Sequence, residues 1–387
     1  MKAKRLFIII SLLLVANGFV QAQFYPYPPT NVISTAAPFL SYSIDARASA
    51  MGECGVATDA DAFSMYYNPA KYAFMKDDRT MVAAGNVLVG DPETYLHGAF
   101  AQKIGKSALA VTLRYYKAND IDFRDQNNNL IGVFSARGLS ADAGYSIRLG
   151  DFLSVGVAGR FVYYNLTQGL GEYYRSCVSI AGDAGAYYYR PLGRVVDLSL
   201  GASITNVGTK MSYSSLADQK HFIPTTMRLG TGVKFKFNQN NSLAVNLQFS
   251  KLLVPSTPIR DYTGEVLYGY DDDVSVLRGM IQSFYDAPGW VYDSYSGEMA
   301  HIGTFYEELC EINTGIGLEY NLFNHGFFRS GYYHQPVLKG GKKYLTWGAG
   351  MRFGIFGMDV SYAVPVNTVA GTSPNSSIIR WDMYFAF

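Results

Sequence analysis

The sequence predicts an all-β fold: an antiparallel transmembrane β-barrel of about 14 strands closed around an N-terminal helical hatch. Three observations predict it. From Arg79 to Phe387 apolar and polar residues alternate with a period of two, in stretches of about ten residues, the length a tilted membrane strand needs. The connectors between these stretches sort by parity, tight after even-numbered strands and mostly long after odd-numbered ones, which a soluble sandwich has no reason to do. The composition is 39 Gly, 31 Tyr and 24 Phe in 387 residues with only 16% charged residues, where a secreted soluble domain carries nearer a quarter.

The chain opens MKAKRLFIIISLLLVANGFVQA. Lys2, Lys4 and Arg5 precede an apolar run from Leu6 to Val15, and Val20-Gln21-Ala22 is a small-residue exit. Residues 1–22 are therefore expected to be a secretory signal peptide, with the mature chain starting near Gln23 and no cysteine there to carry a lipid. Every later apolar run is interrupted by Gly, Ser, Arg or Asp, so no transmembrane helix is expected.

Residues 23–78 are expected to form a leader and the hatch. Gln23 to Pro38 is Pro- and Thr-rich without periodicity and reads as extended. Asp45 to Met51 suits a short helix ended by Gly52, and Asp59 or Asp61 is placed to cap a second turn. Asn68-Pro69 opens a third, because Asn accepts from free first-turn N–H groups and Pro fits the first helical position. These turns lack a long apolar face and must pack inside something larger.

Residues 79–387 are expected to be the barrel, with strands over 79–89, 92–103, 107–118, 134–149, 151–167, 174–190, 195–207, 221–237, 240–252, 308–322, 325–336, 341–353, 355–365 and 375–387. In 107–117, for example, Leu109, Val111, Leu113 and Tyr115 share one face and Ala108, Ala110, Thr112 and Arg114 the other. Both ends of the barrel, and the hatch with them, are expected on the short-turn rim. The charges Arg114, Asp142, Arg160, Arg228, Arg352, Arg380 and Asp382 fall on the inward face, to line a polar lumen or clamp the plug. The last strand places Ile379, Trp381, Met383, Phe385 and Phe387 on one face and ends on an aromatic residue, similar to the signal read by outer-membrane assembly machinery.

The connector 253–307 is the long outer loop. Asp273 is placed to cap a helix whose Val274, Leu277, Ile281 and Phe284 share a face, followed by an aromatic cluster that includes Trp290 and Tyr292. Two readings remain open: a lid folded back onto the barrel, or a docking surface for another protein.

No catalytic or metal-binding constellation stands out, and no cofactor is expected. His97, His221, His301, His325 and His334 have neither metal-ligand spacing nor a neighbouring nucleophile, so enzymatic function, including lipid deacylation, is not expected. Gly169-Leu170-Gly171 lacks the strand-to-helix setting of a phosphate cradle, and Asp125 to Asn129 lacks the glycine and distant glutamate of a calcium loop. Asp271 to Asp273 reads as a solvated loop and helix cap. A net charge of +1 argues against a nucleic-acid surface. Cys54, Cys177 and Cys310 are odd in number and form no disulfide framework, with a single bridge left open.

The stretch FLSYSIDARASAMGECGVATDADAFSMYYNPAKYAFM, Phe39 to Met75, resembles the N-terminal signature of the PorV (LptO) proteins of the Bacteroidota type IX secretion system, themselves similar to FadL-type barrels with an N-terminal hatch. The matching hatch motif includes Asp45, Arg47, Met51, Gly52, Asn68 and Pro69. Looser matches follow at Ser283 to Gly289, Phe305, Glu307 to Leu309, Glu311 and Ile312, so that the resemblance covers nearly all the mature chain. The chain departs from the family at Ser49-Ala50 and Glu53-Cys54, and an insertion, Trp290 to Thr304, splits the run after Gly289. The resemblance implies an integral outer-membrane protein that binds the C-terminal secretion domain of cargo at a large translocon and passes it to a sortase-like attachment complex. Outer-membrane lipid would surround it. The alternative it implies is a FadL-like transporter of hydrophobic small molecules.

Overall fold

The structure, a computed structural model, describes residues 31–75, 80–89, 93–124, 127–166, 175–214, 220–293, 298–366 and 377–387. The expected signal peptide, the first part of the leader, the Gly169 to Gly171 segment and the start of the Asp125 to Asn129 tip lie outside the described residues.

Fourteen strands close into one antiparallel barrel: β1 (Thr80–Val89), β2 (Thr94–Ile104), β3 (Ser107–Lys117), β4 (Arg137–Arg148), β5 (Leu153–Asn165), β6 (Cys177–Leu192), β7 (Val196–Gly208), β8 (Thr226–Lys236), β9 (Ser242–Leu252), β10 (Asn313–Leu322), β11 (Gly326–His334), β12 (Lys343–Phe353), β13 (Phe356–Pro365) and β14 (Ile378–Ala386). The seam runs from Met81 opposite Ala386 to Val89 opposite Ile378. Each expected strand overlaps an observed one. Two strands start five residues late: the one expected at 221–237 begins at Thr226, and the one expected at 308–322 begins at Asn313 because its first residues belong to a helix, so that the outer loop extends to Ile312.

The burial pattern separates a membrane barrel from a sandwich. In β3 the apolar set is the exposed one, Leu109 48%, Val111 45% and Leu113 55%, while Thr112 and Arg114 are buried. An apolar exterior over a polar interior suits strands that face lipid on one side and a filled lumen on the other. β9 repeats it, with Val245 and Phe249 outside and Asn246 and Gln248 inside. None of the three cysteines is bridged, and all are buried.

The lumen is filled by the hatch, made of a 3-10 turn Pro38–Ser41, α1 (Ala46–Ser49), α2 (Ser64–Tyr67) and a second 3-10 turn Pro69–Phe74. One expectation is corrected here. The hatch does not stay on the short-turn rim. Asn31 bonds through its N–H to Leu338 O at 2.8 Å and Ala36 to Phe222 O at 2.7 Å, both on long connectors, while Lys103 and Ser154, beside short turns, bond to Met75 O and Ala70 O. The segment therefore enters at the long-loop rim and descends through the lumen to β1, and only the barrel's own ends share the short-turn rim.

Candidate partner surface and the hatch behind it

Asp45 caps α1, accepting from Arg47 N at 2.8 Å and Ala48 N at 3.2 Å, because a short side-chain oxygen satisfies the free N–H groups of the first turn. That places Arg47 for a two-pronged bond to Glu319 on β10, both contacts 2.8 Å. Glu319 also accepts from Arg329 Nε at 2.7 Å, and Arg329 reaches Asp359 at 2.6 Å. Asp382 accepts from Ala46 N at 2.6 Å and contacts His97 at 2.9 Å. Buried charges of the lumen thus pair across plug and wall, as Arg47 with Glu319, and within the wall, as Arg329 with Asp359 and Arg160 with Asp142 and Asp183.

Gly52 has φ +65, where a side chain is strained, and its N–H bonds Thr346 Oγ1 at 3.0 Å. It sits directly on the wall: a Cβ added to Gly331 would lie 2.3 Å from Gly52 N, and one added to Gly317 2.4 Å from Met51. Asn68, fully buried, accepts from Ala70 N and donates to Val56 O and Ala186 O, and Pro69 begins the 3-10 turn. Lys71 is also fully buried, donating to Gly55 O at 2.9 Å and Thr58 Oγ1 at 3.0 Å. Asp61 caps the turn that leads into α2, as expected of Asp59 or Asp61, accepting from Phe63 N at 3.1 Å and Ser64 Oγ at 2.9 Å, while Phe63 directly precedes the helix.

Sequence reasoning missed the seat of the hatch. Gly156, Gly201, Gly315, Gly317 and Gly331 each bring wall backbone against hatch backbone closer than a Cβ allows. The signal was present, since these glycines fall at inward positions of otherwise well-patterned strands. Two cavities at the plug–wall seam measure about 70 and 20 Å³, and charged side chains including Asp45, Arg47, Asp61 and Asp382 line the larger.

The outer connector holds α3 (Val276–Gln282) and α4 (Thr304–Cys310), with short hairpins Ile259–Arg260 with Val266–Tyr268 and Trp290–Asp293 with Glu298–His301. The expected cap is corrected: Ser275 occupies the N-cap, and Asp273 pairs with Lys210 at 3.2 Å. Asp271 and Asp272 bind Arg260. The connector packs back onto the barrel rim through Lys251 and Phe222, yet the apolar face of α3 stays exposed. Leu277 is 69% exposed, Ile281 67% and Phe284 50%, while Gly279 and Gln282 face inward, Gly279 against the Phe222 ring. Val274 precedes the helix and is half-buried. Trp290 stacks on Tyr268 at 4.7 Å and touches His301, so it holds the hairpin together, while Tyr292 is exposed. On α4 Phe305, Tyr306 and Leu309 are exposed as well.

Beneath this apolar surface lies a polar anchor. Lys251, at an outward position of β9 yet buried, pairs with Glu308 at 3.1 Å and with Glu311, and Lys339 pairs with Glu307 at 2.7 Å and Glu311 at 2.9 Å. Gly289 N donates to Glu307 Oε2 at 2.8 Å and Ala287 N to Glu308 Oε1 at 2.9 Å. The insertion that splits the two runs in sequence therefore loops out as the Trp290 hairpin, and the runs rejoin in space. Asp286 accepts from Ser256 N at 3.2 Å, and burial, with Glu308 and Glu311 nearby, pushes its carboxyl up to about 7.

The family model described as "Type IX secretion system protein PorV" matches residues 27–260. Among solved structures, the Pseudomonas putida toluene transporter TodX superposes with TM-score 0.51 at 13% identity, covering 92% of this chain and 98% of that one. The Ralstonia pickettii toluene transporter TbuX gives 0.48 at 15% identity, covering 88% and 96%, and a Pseudomonas aeruginosa FadL homologue 0.43 at 10%, covering 93% and 99%. No curated protein matches. The likeness to TodX shows the fold, and the family match extends over more than half of the chain. The chain belongs to the PorV family: it is an outer-membrane β-barrel component of the type IX secretion system.

Proposed function

We propose that this protein is a non-enzymatic cargo receiver, binding the C-terminal secretion domain of exported proteins at the translocon and carrying them to a sortase-like attachment complex. The observation that carries the reading is the pair of outer helices whose apolar faces, Leu277 and Ile281 on α3 with Phe284 just past its end, and Phe305, Tyr306 and Leu309 on α4, stand exposed on a connector anchored by buried ion pairs. Exposed apolar patches on a rigid base are contact elements. A lumen packed with hatch backbone favours handling cargo at the rim over conducting it.

Replacing Leu277, Ile281 and Phe284 together by Ser tests this. Cargo should accumulate in the cell or leave unattached, with the barrel present at its usual level. Normal surface display would overturn the reading. The fold shared with TodX supports a second reading, transport of a hydrophobic small molecule, which predicts that deletion lowers uptake of a probe such as toluene. The small, charged seam cavities favour the first.

A further inference from the structure

The route of the N-terminal segment has a consequence of its own. Asn31 to Ala37 crosses the long-loop rim and touches three outer connectors. Asn31 N bonds Leu338 O at 2.8 Å on the β11–β12 connector, and its side-chain amide donates to Glu307 Oε1 at 2.8 Å on α4. Ala36 N bonds Phe222 O at 2.7 Å and Ala37 N bonds Tyr213 Oη at 2.9 Å, both on the β7–β8 connector. Two of these contacts bear on the exposed apolar surface. Glu307 is the carboxylate that also takes Lys339 and Gly289 N, and Phe222 is the ring on which Gly279 of α3 rests, with the Lys210 ammonium 4.2 Å from its centroid. At its other end the segment runs into Phe39, fully buried and stacked between Tyr116 at 5.9 Å and Tyr164 at 5.7 Å, and from there into the hatch.

We propose that Asn31–Ala37 is an extracellular strap that ties both outer helices to the hatch, so that a partner displacing the outer connector also loosens the plug. In outer-membrane barrels the long loops face outward, so the strap is on the cell surface. The strap gives these two elements a direct link, and local opening of one end should then be felt at the other.

Two measurements decide it. Val32 is 51% exposed and the native cysteines are all buried, so Val32→Cys is a clean site for a membrane-impermeant maleimide. It should label on intact cells, while Lys106→Cys, in the β2–β3 turn, labels only after the membrane is broken. Labelling of Val32→Cys only after breakage would overturn the placement. For the coupling, Asn31→Ala removes a hydrogen bond to a carboxylate. It should raise both protease cleavage in the 253–312 connector and thiol reactivity of Cys54 in the hatch, each by about tenfold or more. A rise in cleavage with Cys54 unchanged, or no change in either, would overturn the coupling.

Discussion

The hatch and the outer connector are held by the same chemistry and present opposite surfaces. Both rest on buried carboxylates shared between two cations, Glu319 between Arg47 and Arg329 in the lumen, Glu311 between Lys251 and Lys339 at the rim. The hatch turns every large side chain into the protein, with Phe39, Met51, Met65 and Tyr67 at most 1% exposed, while the connector turns Leu277, Ile281, Phe305 and Tyr306 out. A buried network that ends in a buried surface is a fastening. One that ends in an exposed apolar surface holds something in place for use. The family-specific motif is thus the stopper, and the proposed working surface is carried where the chain is less patterned.

The comparison can be broken first at the ion pairs. Arg47→Ala leaves Glu319 with Arg329 alone and should destabilise by about 3–5 kcal/mol, with Glu319→Gln in the same chain recovering part of it, as thermal unfolding of the detergent-solubilised barrel would read. Next is the seat: Gly331→Val drives a side chain into Gly52 and Met51 and should cost about 1–3 kcal/mol, seen as new reactivity of Cys54. A pH effect arises in the connector. The Asp286 carboxyl, raised to about 7, favours the folded connector fully below its unfolded value near 4, and that contribution is lost as pH rises to about 7. Asp286→Asn should therefore flatten the rise in connector proteolysis between those pH values and, through the strap, the accompanying rise in Cys54 reactivity. Smallest in stability is the apolar face: Leu277→Ser, Ile281→Ser or Phe284→Ser should each shift unfolding by less than about 0.5 kcal/mol while reducing cargo display.

The barrel was legible because its strands obey one rule with few exceptions, and the parity of connector lengths located both rims. The hatch motif was legible at Asp45, Asn68 and Pro69, where capping is local chemistry between residues two or three apart. What was not legible depends on distant partners. Nothing near Lys71 in sequence announces that its ammonium is buried against Gly55 O and Thr58 Oγ1. Lys251 sits at an outward position that periodicity assigns to lipid, and only α4 explains its burial. The orientation of α3 was equally hidden, because a stripe of Leu277, Ile281 and Phe284 reads the same whether it faces the protein or a partner.

The descent of the chain from Asn31 at one rim to Met75 at the other also bears on assembly. A ring closed around a segment whose ends leave by opposite mouths is a threaded object. Were the ring complete first, the segment would have to be drawn lengthwise past Tyr116 and Tyr164, between which Phe39 packs. The geometry therefore leads us to expect that the segment lies against the open sheet, the glycine-lined wall curls over it, and the β1–β14 seam, Met81 against Ala386, closes last.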